Sequence, residues 1–428
     1  MDFKTFSLNA DEATRRDFLS NVARSALGVS VLASGSRVFA ADSEVPHVAG
    51  GGTAKNLIFL YMPGGMTHMD TFDPKSHPDS KGPTDALPTS VPGIHLGHHL
   101  PELAKRMDRL AVVRGMSTQS GDHAGGRYAM HTGYRMRPGT KHPHMGSWAQ
   151  HFLGRRNQLL PDSVIIGGGN PGPGFFDATL SPMPIGDPAK GIRDMLPKIP
   201  RSQFDHRLEL AKGFGYRFEK EYPNDDVKAY TEFYDETVKF FDDKAVEAFD
   251  ISKEPQNTRE KYGNSRFGQG VLLARRLIEH NVRYVEVSSL GGWDMHGGLQ
   301  SVPDKVGTLD IVTATLMDDL KDRGLWDETL IVIGSEFGRT PINERGGRDH
   351  NPGAFSVMLG GGGVAGGISF GKSDERGRKV AEDPTSVPDL HATMAWALGL
   401  PLDARTHGSG GRPFFVGNRG KPMTHLFG

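Results

Sequence analysis

The sequence predicts an α/β fold: a mostly parallel sheet sandwiched by helices, with a small helical insertion. Three observations predict it. Short apolar runs recur along the chain and stop at glycine or polar turns. Segments of helical period alternate with those runs, which is the pattern of strand–helix–strand units. No apolar run reaches the roughly 20 residues of a membrane span. Strands of a parallel sheet read as continuous apolar runs because both of their faces are covered.

Residues 56–62 (NLIFLYM) form the first such strand, closed by the turn Pro63-Gly64-Gly65. Residues 110–113 and 163–166 are further strands, each stopped near glycine, and residues 144–153 have helical spacing. Residues 202–250 are rich in charge, Phe and Tyr. There Tyr234, Val238 and Phe241 have helical spacing, with Phe233 and Phe240 two turns apart beside them, so a pair of helices inserted as a lid or cap is expected. Residues 266–280 form a helix carrying Leu272, Leu273, Leu277 and Ile278. A strand follows at 282–287, then an amphipathic helix at 308–323 with Leu309, Val312, Leu316 and Leu320 on one stripe. Residues 330–333 and 354–359 are strands, the latter broken by glycines at 360–363, and 390–398 is the last helix. That glycine run lacks the spaced pattern and the Lys of a phosphate loop, and no internal repeat is present.

Composition narrows the function. Lys+Arg number 50 against 51 Asp+Glu, a formal net charge of −1, which argues against a general nucleic-acid binder. The absence of Cys removes disulfide scaffolds, zinc ribbons, iron–sulfur clusters and thiol nucleophiles. At the N-terminus, Arg15-Arg16 is followed by Phe18-Leu19, a small apolar stretch at 26–34 and Val38-Phe39-Ala40. Residues 1–40 read as a signal peptide resembling a twin-arginine signal. The mature chain is then expected to begin near Ala41 and to be a single domain, 41–428, passed by the twin-arginine export machinery to the periplasm or beyond. A chain without Cys is compatible with an oxidising compartment.

In open α/β sheets, ligands bind beyond the carboxyl ends of the strands. His68, Asp70 and Asp73 follow the first strand; Ser117, Ser120, Asp122 and His123 follow the second. Asp294 and His296 follow 282–287, Glu336 and Arg339 follow 330–333, and Arg348-Asp349-His350-Asn351 precedes the next strand. Acids gathered at one edge repel unless something positive sits among them. One or two divalent cations held by His68, Asp70, Asp294, His296, Glu336 and His350 would supply it, with Zn, Mn, Ca or Fe as candidates. His123 is a ligand or nucleophile in this reading, and Arg127 and Arg339 could hold a tetrahedral oxyanion by bidentate hydrogen bonds. The plainer alternative is a set of polar groups that cap loops and pair on the surface. His98-His99, His142 and His144 read as exposed loop residues, and Asp242-Asp243 as a solvated helix face.

Residues 309–338 (LDIVTATLMDDLKDRGLWDETLIVIGSEFG) resemble the core of the alkaline phosphatase superfamily. The resemblance puts Glu336 where a metal-ligand Asp is expected, and Phe337 where the following ligand is expected. Asp294 and His296 resemble the Asp and His of the first metal site, and His350 its last His. The Asp expected after the first strand is Pro63, so His68 or Asp70 would have to substitute. His123-Ala-Gly-Gly-Arg127, followed by His131-Thr132-Gly133-Tyr134, is similar to the nucleophile stretch of sulfatases. That places His123 in the nucleophile position and Arg127 in the anion-binding position. A His there ligates metal, forms a phospho-His, or marks changed or lost hydrolytic chemistry.

More narrowly, the chain from about residue 56 onward resembles an exported bacterial family known as domain of unknown function 1501. The residues that carry the match are Gly64-Gly65, His68, Asp70-Thr71-Phe72-Asp73-Pro74-Lys75, Met130-His131-Thr132-Gly133, Gly291-Gly292-Trp293-Asp294, His296, Glu336-Phe337-Gly338-Arg339-Thr340-Pro341 and Gly347-Arg348-Asp349-His350. The resemblance implies an alkaline phosphatase-like fold and an extracytoplasmic, metal-dependent hydrolase of phosphate or sulfate esters. Its partner would be an anionic ester substrate, such as a polysaccharide, with no nucleic acid and no transmembrane segment. The alternative is a catalytically degenerate member that binds metal or polysaccharide.

Overall fold

The computed structural model describes residues 51–192, 199–222, 247–288 and 290–428. The leader expected over 1–40 lies outside the described residues, as do Phe233, Tyr234, Val238, Phe240, Phe241 and Asp242-Asp243. The described residues belong to two compact units, one within Ala40–Gly191 and Glu247–Gly428, the other within Ile192–Val246. In the second unit, the stretch expected to hold two helices shows one described helix, Arg201–Glu221.

The first unit is organised by a nine-stranded sheet. Its strands are β1 (Asn56–Tyr61), β2 (Leu110–Ser117), β3 (Ser163–Ile166), β4 (Met183–Ile185), β5 (Tyr284–Val287), β6 (Thr329–Gly334), β7 (Phe355–Gly360), β8 (Ile368–Phe370) and β9 (Thr385–Ser386). They lie in the order β8-β2-β7-β6-β1-β5-β3-β4, with β9 also paired to β2. β1 is central and wholly buried: Leu57 lies opposite Tyr284 of β5 on one side and Leu330 of β6 on the other, both in parallel register. Only β7 runs against the rest, antiparallel to β6 and β2. Between β6 and β7 the chain folds through a short hairpin, Gly338–Ile342 paired with Arg348–Asn351. Such a return needs no crossover helix and so places the next strand antiparallel.

The helices used below are α1 (His123–Thr132), α2 (Met145–Leu153), α3 (Arg266–Glu279), α4 (Val302–Asp322) and α5 (Val387–Ala397). Leu57, Phe59 and Tyr61 of β1 share a buried cluster with Met130 of α1, Trp148 of α2, and Leu390 and Met394 of α5. Alternate strand residues point to opposite faces. Ile58 and Leu60, also fully buried, therefore face the other layer, where α3 packs on β5 and against α4. Helices on both faces of a mostly parallel sheet are what the alternating pattern predicts.

Two boundaries differ from expectation for identifiable reasons. α4 begins at Val302, ahead of its apolar stripe, because Pro303 in the first turn has no amide to lose there. α1 has no apolar stripe and two glycines, so its helix was not expected. It is fixed at its ends, where Asp122 accepts from the Gly125 amide and Gly133 closes the helix in the left-handed region. No helix among the described residues is long and apolar enough to cross a membrane.

Phe59 lies at the centre of this core and is 1% exposed. Phe59→Ala should cost about 3–5 kcal/mol of unfolding free energy, through lost burial and the cavity left behind. Urea unfolding of wild type and variant checks this, and a change below about 1 kcal/mol would mean that the cluster is not close-packed there.

Candidate metal centre

The carboxyl ends of the parallel strands deliver polar residues to one edge of the sheet, as the strand-exit argument requires. Glu336 follows β6, Asp294 and His296 lie in the segment after β5, and His123 opens α1 in the segment after β2. His350 comes from the hairpin that follows β6. The turn after β1 closes the edge. Gly64 and Gly65 adopt φ of +109° and +69°, and a Cβ on them would sit 2.9 Å from the Asp294 amide and 2.6 Å from the Phe337 ring. Only glycine lets the turn come this close.

The side chains converge on a single carboxylate oxygen. Asp294 Oδ1 lies 2.9 Å from His296 Nε2, 3.2 Å from His350 Nε2 and 3.4 Å from His123 Nε2. His296 Nε2 and His350 Nε2 are themselves 3.0 Å apart. One ligand atom each of His123, Asp294 and His350 falls within 4.8 Å of the others, and His296 borders that set. With bonds of about 2.0–2.2 Å, donors sharing one cation lie roughly 3–3.5 Å apart.

Each imidazole is held from behind. His123 Nδ1 is 2.7 Å from Glu336 Oε1, His296 Nδ1 is 2.6 Å from Asp349 Oδ1, and His350 Nδ1 is 2.7 Å from the Gly121 carbonyl. A carboxylate or a carbonyl only accepts, so in each ring the Nδ1 carries the proton. The three Nε2 atoms then face one another and an anionic oxygen. His123 Nε2 is buried without a hydrogen-bond partner. Histidines that hold a metal are oriented in this way, by a carboxylate or carbonyl on the far nitrogen. The donor set fits a divalent cation, and an imidazole-rich set suits Zn, Mn or Fe better than Ca.

Arg339 supplies the fixed positive charge of the site. Its guanidinium donates to Asp294 Oδ1 at 2.7 Å, to the Gly65 carbonyl at 2.8 Å, to the Arg348 carbonyl at 3.0 Å and to the Gly64 carbonyl. Burial would raise the Asp294 carboxyl, but the Arg339 guanidinium beside it holds it well below the usual carboxylate range. Four of the five N–H groups of Arg339 are therefore committed to the protein and the side chain is 1% exposed, which counts against the bidentate anion-binding role expected for it. Arg127 is different. It is exposed, one helical turn past His123, and its guanidinium makes no hydrogen bond or ion pair among the described residues.

Glu336 sits beneath the cluster and is fully buried. Besides His123 it accepts from Tyr61 Oη at 2.8 Å, the Gly64 amide at 2.9 Å and Ser335 Oγ at 3.0 Å. Burial raises its carboxyl, and these hydrogen bonds outweigh that and hold it low. Glu336 thus orients a ligand rather than pointing into the set. Phe337, where a ligand was expected, packs its ring 5.0 Å from His123 and 4.6 Å from His350.

His68 and Asp70 are not brought to the cluster. Both Asp70 oxygens are taken, by Arg348 at 2.8 and 3.1 Å and by the hydroxyls of Thr67 and Thr84 at 2.7 and 2.8 Å. His68 Nε2 meets the Gly377 carbonyl at 2.9 Å, and burial pulls its imidazole down to about 4. They fix the loop after β1, which is the plainer of the two readings for such residues. His142 and His144, expected in exposed loops, are 4% and 0% exposed.

His144 belongs to a second polar group that sequence reading missed. Glu286, buried in β5, lies 2.9 Å from His131 Nε2 and 3.2 Å from His144 Nε2, and accepts from Ser288 Oγ at 2.7 Å. Burial raises Glu286, but the two histidines pull it well below its usual value. Burial likewise opposes charge on His131, yet Glu286 wins and raises it; on His144 burial wins and lowers it. His131 is thus the cation of the pair and His144 a neutral donor. His131 also packs edge-on against Tyr61 at 4.8 Å, next to the residue that holds Glu336. The available signal was an acid inside an apolar run, Tyr-Val-Glu-Val, since a buried charge requires partners. Asp349 stood in a recognised motif without a role, and the Gly121 carbonyl has no side-chain signal at all.

The profile of the family described as "Protein of unknown function (DUF1501)" matches residues 54–427. No curated protein matches the chain. Solved structures that this chain matches include a protein in the alkaline phosphatase superfamily from Vibrio parahaemolyticus, 11% identical over 89% of this chain and 71% of that one, with a TM-score of 0.42. The phosphonate monoester hydrolase SpPMH from Silicibacter pomeroyi is 11% identical over 87% and 76%, with a TM-score of 0.36. The lipoteichoic acid synthase LtaP from Listeria monocytogenes is 11% identical over 86% and 76%, with a TM-score of 0.37.

Two outcomes follow from the buried pairs. Arg348 and Asp70 are both fully buried, so Arg348→Ala, which strands the carboxylate, should cost about 3–5 kcal/mol by urea unfolding; a loss under about 1 kcal/mol would contradict the pairing. His131 is raised above its ordinary 6.5, so its contribution to stability is complete below that pH and is lost as pH rises through the folded value. It is faced by Glu286, His144, His391, Arg127 and Tyr61. Wild type should lose stability above about pH 6.5 in a step that His131→Gln lacks, and parallel profiles would contradict the charge assignment.

Proposed function

This chain belongs to the family of proteins of unknown function DUF1501, and on that premise we propose that it is a metal-dependent hydrolase of phosphate or sulfate esters acting outside the cytoplasm. The observation that carries the reading is the convergence of three back-held imidazoles on Asp294 Oδ1, with the buried His123 Nε2 left without a hydrogen-bond partner. His123, Asp294 and His350 would hold the cation, with His296 beside them. A divalent cation there supplies Lewis-acid activation of an ester oxygen.

The chain's own residues account for the remainder. Glu336, Asp349 and the Gly121 carbonyl hold the three rings in the tautomer that presents Nε2. Tyr61 and Ser335 fix Glu336 in turn. Arg339 offsets the Asp294 charge and pins the Gly64-Gly65 turn. Arg127, exposed and unpaired among the described residues, is the group available to hold an equatorial oxygen of a tetrahedral anion. Because its Nδ1 is occupied and its Nε2 faces Asp294, His123 is better placed as a ligand than as a nucleophile. The resemblance of residues 1–40 to a twin-arginine signal supports an extracytoplasmic setting.

The test is turnover of aryl phosphate, aryl phosphonate and aryl sulfate esters, with and without Zn, Mn and Ca. Metal-dependent hydrolysis of one class is expected. His123→Ala should lower kcat/KM by about 10²-fold or more, and Glu336→Gln by roughly 10–100-fold, through ligand orientation alone. Arg127→Ala should act on the same parameter without altering metal content. Bound metal with no turnover of any ester would leave a binding protein and end the hydrolase reading.

A further inference from the structure

Two stretches of this chain carry no acidic residue. Residues 123–161 hold Arg127, Arg135, Arg137, Lys141, Arg155 and Arg156 without an Asp or Glu, and residues 404–428 hold Arg405, Arg412, Arg419 and Lys421 in the same way. In a chain whose net charge is −1, this is a strong local imbalance. The fold brings the two stretches together. Tyr134 Oη donates to the Phe415 carbonyl at 2.6 Å and accepts from the Phe415 amide at 2.9 Å, and Asn418 donates to the Gly133 carbonyl at 3.0 Å. The His142 ring meets Phe414 edge-on at 5.0 Å. Arg137 and Arg412, one from each stretch, both add to burial in pulling the His142 imidazole down to about 4, so both stand near it.

Arg135, Arg137, Lys141, Arg405 and Arg412 are exposed and form no ion pair with a described residue. Exposed cations left unpaired on one face build a positive potential that draws and retains anions. Helix α1 joins this face to the metal centre: it begins at His123, carries Arg127 a turn later and ends at the Gly133 cap that Asn418 touches.

We propose that this face binds an acidic polysaccharide, holding its charged groups while one ester reaches the site at His123. The second half of that statement rests on the hydrolase reading above; the binding itself does not. Arginines predominate on the face, and their planar forks match sulfate and carboxylate groups two hydrogen bonds at a time. Single-stranded nucleic acid fits less well, because it needs exposed aromatic rings on which bases stack. The large exposed apolar side chains of these stretches are Met136 and Leu159, neither of them aromatic.

The experiment titrates the full chain with dextran sulfate, uncharged dextran and a single-stranded DNA over a series of salt concentrations. Dextran sulfate should bind with an affinity that falls steeply as salt rises, and uncharged dextran should not bind. The triple variant Arg135→Ala, Arg137→Ala, Arg412→Ala should weaken dextran sulfate binding by about tenfold or more. A control, Lys253→Ala, Arg259→Ala, Lys261→Ala, removes the same charge from exposed positions elsewhere and should leave binding unchanged. Equal losses in the two variants, no binding by wild type, or tighter binding of the DNA would each overturn the proposal. Binding is read without turnover, so failure of the hydrolase reading shows separately, as dextran sulfate bound at this face by a chain that cleaves no ester.

Discussion

One oxygen, Asp294 Oδ1, organises the carboxyl edge of the sheet. Three imidazole nitrogens and one guanidinium point at it from three different segments. With a single proton per ring, held on Nδ1, the three Nε2 atoms and the carboxylate would present only lone pairs to one another, which Arg339 alone does not offset. Two imidazole nitrogens 3.0 Å apart require a proton or a cation between them. The donor set at this edge is one that a positive ion would fit.

The rest of the molecule makes that gathering rigid. Parallel strands deliver their exits to the same edge, and the reversed strand β7 lets the hairpin bring His350 back over it. Gly64 and Gly65 allow the first turn to press against Asp294 and Phe337. Behind each imidazole stands one fixed acceptor, and behind Glu336 stand Tyr61 and Ser335. Two buried charge pairs flank the centre: Asp70 with Arg348 secures the loop after β1, and Glu286 with His131 ties β5 to α1, which carries His123. A site built on strand ends and one helix N-terminus, with its supporting groups buried, is held more precisely than one built on loops alone.

Much of the architecture was legible in the sequence for a simple reason. Strands covered on both faces must be apolar throughout, and glycine marks where they end, so β1, β5, β6 and β7 could be read within a residue or two. Two exits then pointed to Asp294, His296 and Glu336, and the stretch before β7 to His350; the structure brings all four to one edge. The same rule misplaced His68 and Asp70, because a polar residue after a strand caps a loop as readily as it binds a ligand. The partner that decides the matter for Asp70, Arg348, lies 278 positions away. His144 read as exposed because its neighbours are Pro143 and glycine-rich chain, while the acid that accounts for its burial is 142 positions distant. Backbone partners such as the Gly121 carbonyl leave no mark in the residue pattern.

The central claim is that these side chains form a cation site, and diffraction tests it most directly. Crystals equilibrated with Zn or Mn and measured at the metal's absorption edge should show one anomalous peak bonded to Nε2 of His123 and His350 and to Asp294 Oδ1, at about 2.0–2.2 Å. A peak elsewhere, or none at full metal occupancy of the medium with the rings still turned inward, would contradict the account.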